Sequence, residues 1–108
     1  MKKAETVEHA DWLLDALARR SPVPRVEMKP GDTIDVDLSL DALAIRSLTN
    51  SMRVHIKESN PAASLARKEV EKASTVRGEL QLIVKKIDDS KLSDEDADKA
   101  LEEAQEET

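Results

Sequence analysis

The chain has 108 residues, 37% of them charged, a formal net charge of −6, two glycines, one tryptophan, and no cysteine, tyrosine or phenylalanine. One domain's length is therefore available, without the residues for a disulfide scaffold, a thiolate metal site, a glycine-rich phosphate loop or an aromatic platform for single-stranded nucleic acid. No apolar run approaches the ~20 residues of a membrane span and no apolar signal segment opens the chain, so a cytoplasmic protein with no membrane partner is expected.

Residues 4–20 read as a helix. Val7, Ala10, Leu13, Leu14 and Leu17 recur on one face of a 3.6-residue period. Ser21-Pro22-Val23-Pro24 stops it, since proline cannot continue a helix. Trp12 falls off the apolar face, among Glu8, Asp15 and Arg19. The chain's one aromatic side chain thus needs cover from a hairpin, a crossing helix or a partner.

Residues 25–38 read as a small β-hairpin. Arg25-Val26-Glu27-Met28 and Ile34-Asp35-Val36-Asp37-Leu38 alternate around Lys29-Pro30-Gly31-Asp32. Pro then Gly at the centre is the signature of a type II turn, with Gly31 at positive φ. Ser39 is an N-cap candidate for a helix from Leu40 to about Glu58, on the period of Ile45, Leu48, Met52 and Ile56. Met52, Val54 and Ile56 also alternate as a strand would; the helix reading is preferred.

Asn60-Pro61 reads as a helix start. One long helix is expected over about 61–88, with Val76, Leu80, Ile83 and Ile87 at 4-3-4 spacing as in a coiled-coil seam. Gly78 interrupts it as a kink or close contact. Ser93 with Asp96 then opens a last helix, Asp94 to about Glu106, whose apolar face is only Ala97, Ala100, Leu101 and Ala104. The fold class read from these patterns is mainly α: three or four helices and one small hairpin. Residues 1–88 would form a single small helical domain and 89–108 an acidic tail, weakly helical or frayed. Residues 89–108 hold nine acidic groups against two basic ones.

No constellation points to catalysis. Neither His9 nor His55 has a second ligand at i+3 or i+4 that would make a strong metal site, Asp11 and Glu58 being the nearest carboxylates, so no metal is expected of them. Asp35, Asp37, Ser39 and Asp41 lack the glycine and glutamate of a calcium loop. Arg19, Arg20, Arg25 and Lys29 cluster in sequence, as do Arg67, Lys68, Lys72, Lys85 and Lys86, but acids dilute both groups. The expectation is a non-enzymatic protein-binding module, an adaptor, assembly factor or regulatory subunit, without cofactor. It would pack helix on helix against another protein or a second copy, as a homo-oligomer such as a dimer. Its interface residues would be Trp12, Val76, Leu80, Ile83 and Ile87. The alternative is a nucleic-acid-associated regulator, a small repressor or antitoxin with an acidic tail.

Overall fold

A computed structural model describes residues 1–106. Among these residues there are five α-helices and no strand: α1 Lys3–Ala18, α2 Ala42–Ser59, α3 Arg67–Ala73, α4 Val76–Asp88 and α5 Asp94–Glu106, with a 3-10 turn at Arg25–Glu27. The core gathers Leu13, Leu14 and Leu17 from α1, Leu48, Met52 and Ile56 from α2, Leu80 and Ile83 from α4, and Leu101 from α5, all essentially inaccessible to water. Helix α1 packs most extensively on α5 and then on α4, while α2 rests on α3, α4 and, more lightly, α1. No helix is long and apolar enough to cross a membrane.

The β-hairpin expected over 25–38 is not present. The turn itself forms, with the Asp32 amide donating to the Lys29 carbonyl at 3.0 Å, but Gly31 does not adopt positive φ. Beyond it, Thr33 and Asp37 bond each other's backbone amides, at 2.8 Å from Thr33 N to Asp37 Oδ2 and 3.1 Å from Asp37 N to Thr33 Oγ1. These side chains close the backbone into a turn and remove it from any ladder. Ile34 and Leu38 are consequently buried four residues apart, while Val36 between them is 75% exposed. The segment instead pairs Thr33 with Thr75 in a single antiparallel bridge. Its carbonyls cap α4: Val76 N donates to Asp32 O and Arg77 N to Pro30 O, at 3.0 and 2.9 Å. These are amides that a helix start leaves without an internal partner.

Helix α2 begins at Ala42, two residues later than Leu40. Its N-cap is Asp41, whose Oδ1 accepts from Ala44 N at 2.8 Å, while Ser39 sits at φ 60°. The helix then runs through 50–58 as preferred. The single long helix over 61–88 is replaced by two. Asn60-Pro61 opens a turn, Ala63 N donating to Asn60 O at 3.0 Å, and Arg53 Nε holds the Leu65 carbonyl at 2.7 Å in the stretch that follows. Helix α3 ends at Ser74, φ 56°, and α4 restarts from Thr75, whose Oγ1 accepts from Gly78 N at 3.0 Å. Gly78 permits this corner. A Cβ there would stand 2.2 Å from the Ala73 carbonyl oxygen.

Helix α5 has Ser93 at its start, Oγ accepting from Asp96 N at 3.1 Å. Ala97, Ala100, Leu101 and Ala104 are each buried. Arg77 forks onto Asp98, Nε to Oδ1 at 2.6 Å and Nη2 to Oδ2 at 2.9 Å, tying α4 to α5.

Candidate functional site between α1 and α2

A second stripe runs along α1 beside its apolar face: His9, Trp12, Ala16 and Arg20, at spacings of 3, 4 and 4. On α2 the matching stripe is Ser47, Ser51, His55 and Glu58. Where the two meet, the His55 ring lies flat on the Trp12 indole, centroids 4.0 Å apart and planes 10° apart. His9 meets the same imidazole edge-on, and its Nδ1 is 2.8 Å from His55 Nε2. One nitrogen of this pair must carry the hydrogen and the other the lone pair, so at least one ring is neutral.

Electrostatics favour the neutral pair. Burial lowers the His9 imidazole from its ordinary value, opposed by the carboxylates of Glu8 and Glu5. Burial, and then the neighbouring His9, push His55 down to about 4. Among the described residues no group of three or more histidine or carboxylate side chains could hold a metal ion. The two imidazole nitrogens that face each other are occupied by their own bond.

Toward the C-terminus of α1 the seam opens into a cleft of about 400 Å³ lined by Trp12, Asp15, Arg19, Arg20, Val54 and Glu58, among others. Arg20 spans it. Its Nε donates to Ser47 Oγ at 3.1 Å, Nη1 to the Ala16 carbonyl at 2.8 Å, and Nη2 to Ser51 Oγ at 2.7 Å. All of these acceptors are neutral, so the guanidinium ties α1 to α2 with its charge uncompensated by an acid. Burial, and then neighbouring Arg19, lower its ordinary high pKa.

The structure brings Arg19 and Arg20 to this cleft but turns Arg25 elsewhere. Arg25 Nη2 and Nη1 donate to Asp11 and Asp15, at 2.8 and 2.5 Å, and Nη2 also reaches the Ala104 carbonyl at 2.9 Å. Of the expected interface residues, Trp12 is half-buried at the cleft. Val76, Leu80 and Ile83 lie inside the chain's own core, and Ile87 is half-buried against it.

Two features escaped sequence reasoning. The His9–His55 contact joins residues 46 apart, so periodicity within either helix could show only that each histidine shares a face with polar neighbours. Glu79 was legible in principle. It stands three residues after Val76 and four before Ile83, on the seam face of α4. The structure buries it fully, with neither carboxyl oxygen hydrogen-bonded. Burial pushes its carboxyl up to about 9, so it is protonated at neutral pH. It lines none of the cleft described above.

No family model, curated protein or solved structure matches this chain.

Proposed function

We propose that this chain is a non-enzymatic protein-binding module whose contact surface is the α1–α2 cleft around Trp12. One observation carries the reading: the only aromatic residue of the protein is half-buried at the rim of an open cleft. Val54 beside it is 63% exposed. Partly exposed tryptophan next to arginine is the composition of an interface hot spot, because each gives a large contact area or several donors for little lost freedom. Binding, not catalysis, fits the same residues. The two histidines are bonded to each other, and the one carboxyl raised toward neutrality is sealed in the core.

The aliphatic stripe of α4 is enclosed by the chain's own helices, so Trp12 bears the proposal. The cations also favour protein over nucleic acid as partner. Lys3, Arg25, Arg67, Arg77, Lys86 and Lys99 are each paired with a carboxylate and the chain is net −6, both of which weigh against binding a polyphosphate duplex. The test is a photo-crosslinking residue placed at Val54 in the full chain expressed in its own cells, with a second at Val36, 75% exposed on the 33–40 loop, as control. A discrete protein adduct from position 54, lost on Trp12→Ala, is expected. Equal labelling from both positions, or none from 54, sinks the reading.

A further inference from the structure

We infer that the outer face of α2 docks a second copy of this chain, the two α2 helices lying antiparallel about a two-fold axis. The inference names a partner for the protein-binding reading and rests on it, since Val54 belongs to both surfaces. Leu43, Ser47, Asn50, Val54 and Lys57 follow at 4-3-4-3 spacing, the stripe one helix presents to another, and all five are exposed. Among the described residues, Leu43, 71% exposed, and Val54 are the only large apolar side chains that any α-helix leaves open to water. Both fall on this one stripe.

The stripe is complementary to its own reverse. With Leu43 set against Val54 of the second copy, Val54 meets the other Leu43, and Ser47 meets Asn50 twice in the middle. The Asn50 amide nitrogen has no partner among the described residues, and Ser47 Oγ, which already takes one bond from Arg20, has room to accept another. Lys57, without an ion pair in the fold, comes to the start of the second helix at exposed Asp41. Arg53 is held off the stripe by the Leu65 carbonyl, and Glu58 turns into the cleft beside α1. Parallel pairing would put Lys57 on Lys57 and align the helix dipoles, whereas antiparallel pairing opposes them. Long-range charge points to the same face. Helix α4 packs on all four other helices, with α1 and α5 on one side of it and α2 and α3 on the other. The α1 and α5 helices hold eleven carboxyl groups and two lysines, while residues 33–59 hold four acids and three cations. The acidity that repels copies of a net −6 chain is therefore concentrated on α1 and α5, and the α2 segment is nearly neutral. A helix of 18 residues is about 27 Å long. One such helix pair covers less than the ~1,200 Å² of a standard interface, so the dimer is weak and reversible.

The chain has no cysteine, so introduced cysteines report the register directly. Leu43→Cys and Val54→Cys, each in the full chain, are mixed in a glutathione redox buffer. The mixed disulfide should form well above the roughly one-half share that random pairing gives. Sedimentation equilibrium of the unaltered chain should show a dimer half-formed at ~100 µM. Leu43→Lys, a position outside the cleft lining, should weaken the dimer about tenfold and leave the melting curve of the dilute chain unchanged. Random or like-with-like disulfides, a chain that stays monomeric at millimolar concentration, or a dimer indifferent to Leu43→Lys each overturns the inference. The photo-crosslinker at Val54 separates it from the reading beneath it. An adduct of twice the chain's mass supports both. An adduct with a different protein defeats the inference and leaves the protein-binding reading standing, and no adduct removes both.

Discussion

The two sides of α1 are held by different chemistry. Toward α5 the contact is dry. Ala97, Ala100, Leu101 and Ala104 meet the apolar face of α1 with small side chains that let the helices approach closely. Polar contacts flank that seam: Lys3 Nζ on α1 pairs with Glu103 on α5 at 3.0 Å, and Gln105 Nε2 donates to the carbonyls of Arg25 and Met28 in the segment after α1, at 2.8 and 2.5 Å. Toward α2 the contact is a line of polar and aromatic groups, His9, Trp12 and Arg20 against His55, Ser51 and Ser47, open to water along the cleft. Apolar burial involves no titrating group, and it carries the stability of small domains. A polar seam contributes little net energy because water competes for the same bonds. The fold therefore rests on the α5 side, and the α2 side is where a ligand or a proton can act.

The hardest test of that division is removal of α5. Ending the chain at Ser93 takes away the largest packing partner of α1, the Ala104 carbonyl that Arg25 reaches, and Asp98, the partner of Arg77. Cooperative thermal unfolding followed by circular dichroism should vanish. The single change Leu101→Ala should cost about 3 kcal/mol through the cavity it leaves. A shortened chain that melts like the full one would move the weight of the fold elsewhere.

Glu79 is the flaw in the apolar side, and its effect has a definite sign. Its carboxyl ionises near 4.5 when unfolded and at about 9 when folded. Between those values the native state holds a proton that the unfolded state has released, so stability falls as pH rises. The slope is at most about 1.4 kcal/mol per pH unit. Glu79→Gln should be nearly neutral at pH 4.5 and stabilising by about 3 kcal/mol at pH 7, measured by urea unfolding across that range. A wild-type stability that does not decline from pH 6 to 9 would mean the carboxyl finds a partner when ionised.

Gly78 sharpens the comparison in another way, because it fixes where α4 begins and α4 packs on both α1 and α2. Gly78→Ala drives a Cβ against the Ala73 carbonyl, a backbone atom that cannot turn aside. A loss of about 2 kcal/mol is expected, against the gain an alanine gives at an ordinary helix position. Amide exchange should quicken in α3 and at the start of α4, and no change in melting would refute the close approach.

Helix periodicity made α1, the interior of α2 and the extent of α5 legible, since each depends on contacts within one helix. Ser93 and the proline pair after α1 were readable for the same reason: capping and φ restriction are local. The 25–40 segment misled because Thr33 and Asp37 bond the backbone four residues away, a choice that apolar alternation does not record. The break at Ser74 was marked only by Gly78, which reads as a kink or close contact within one helix and not as a corner between two. It is imposed by the loop at 30–34, which caps α4 from more than forty residues upstream in the chain. The cleft was half legible. Trp12 stood off its helix's apolar face by spacing alone, but His55, its stacking partner, could be found only by bringing two helices together.

The smallest expected effect is the one that acts on the polar side alone. The His9–His55 bond needs a lone pair, and protonating both rings sets donor against donor. Burial holds His55 at about 4 when folded, against an ordinary 6.5, and displaces His9 downward as well. In the unfolded chain both rings protonate first, so the stability of this seam is complete above pH 6.5 and declines as pH falls toward 4. That is opposite in sign to Glu79, and the two slopes overlap between about 4.5 and 6.5. The histidine contribution should be only about 1 kcal/mol, because the pair is half-buried and water screens the charge that develops. Trp12 makes it visible. Its fluorescence should drop as the stacked imidazole gains a proton near pH 4, before helicity measured by circular dichroism falls. His55→Phe keeps a ring on the indole and removes the titration, so that drop should disappear while the pH dependence due to Glu79 remains. A fluorescence change that survives in His55→Phe, or that coincides with loss of helix, would mean that acid opens the apolar side of α1 and not the polar one.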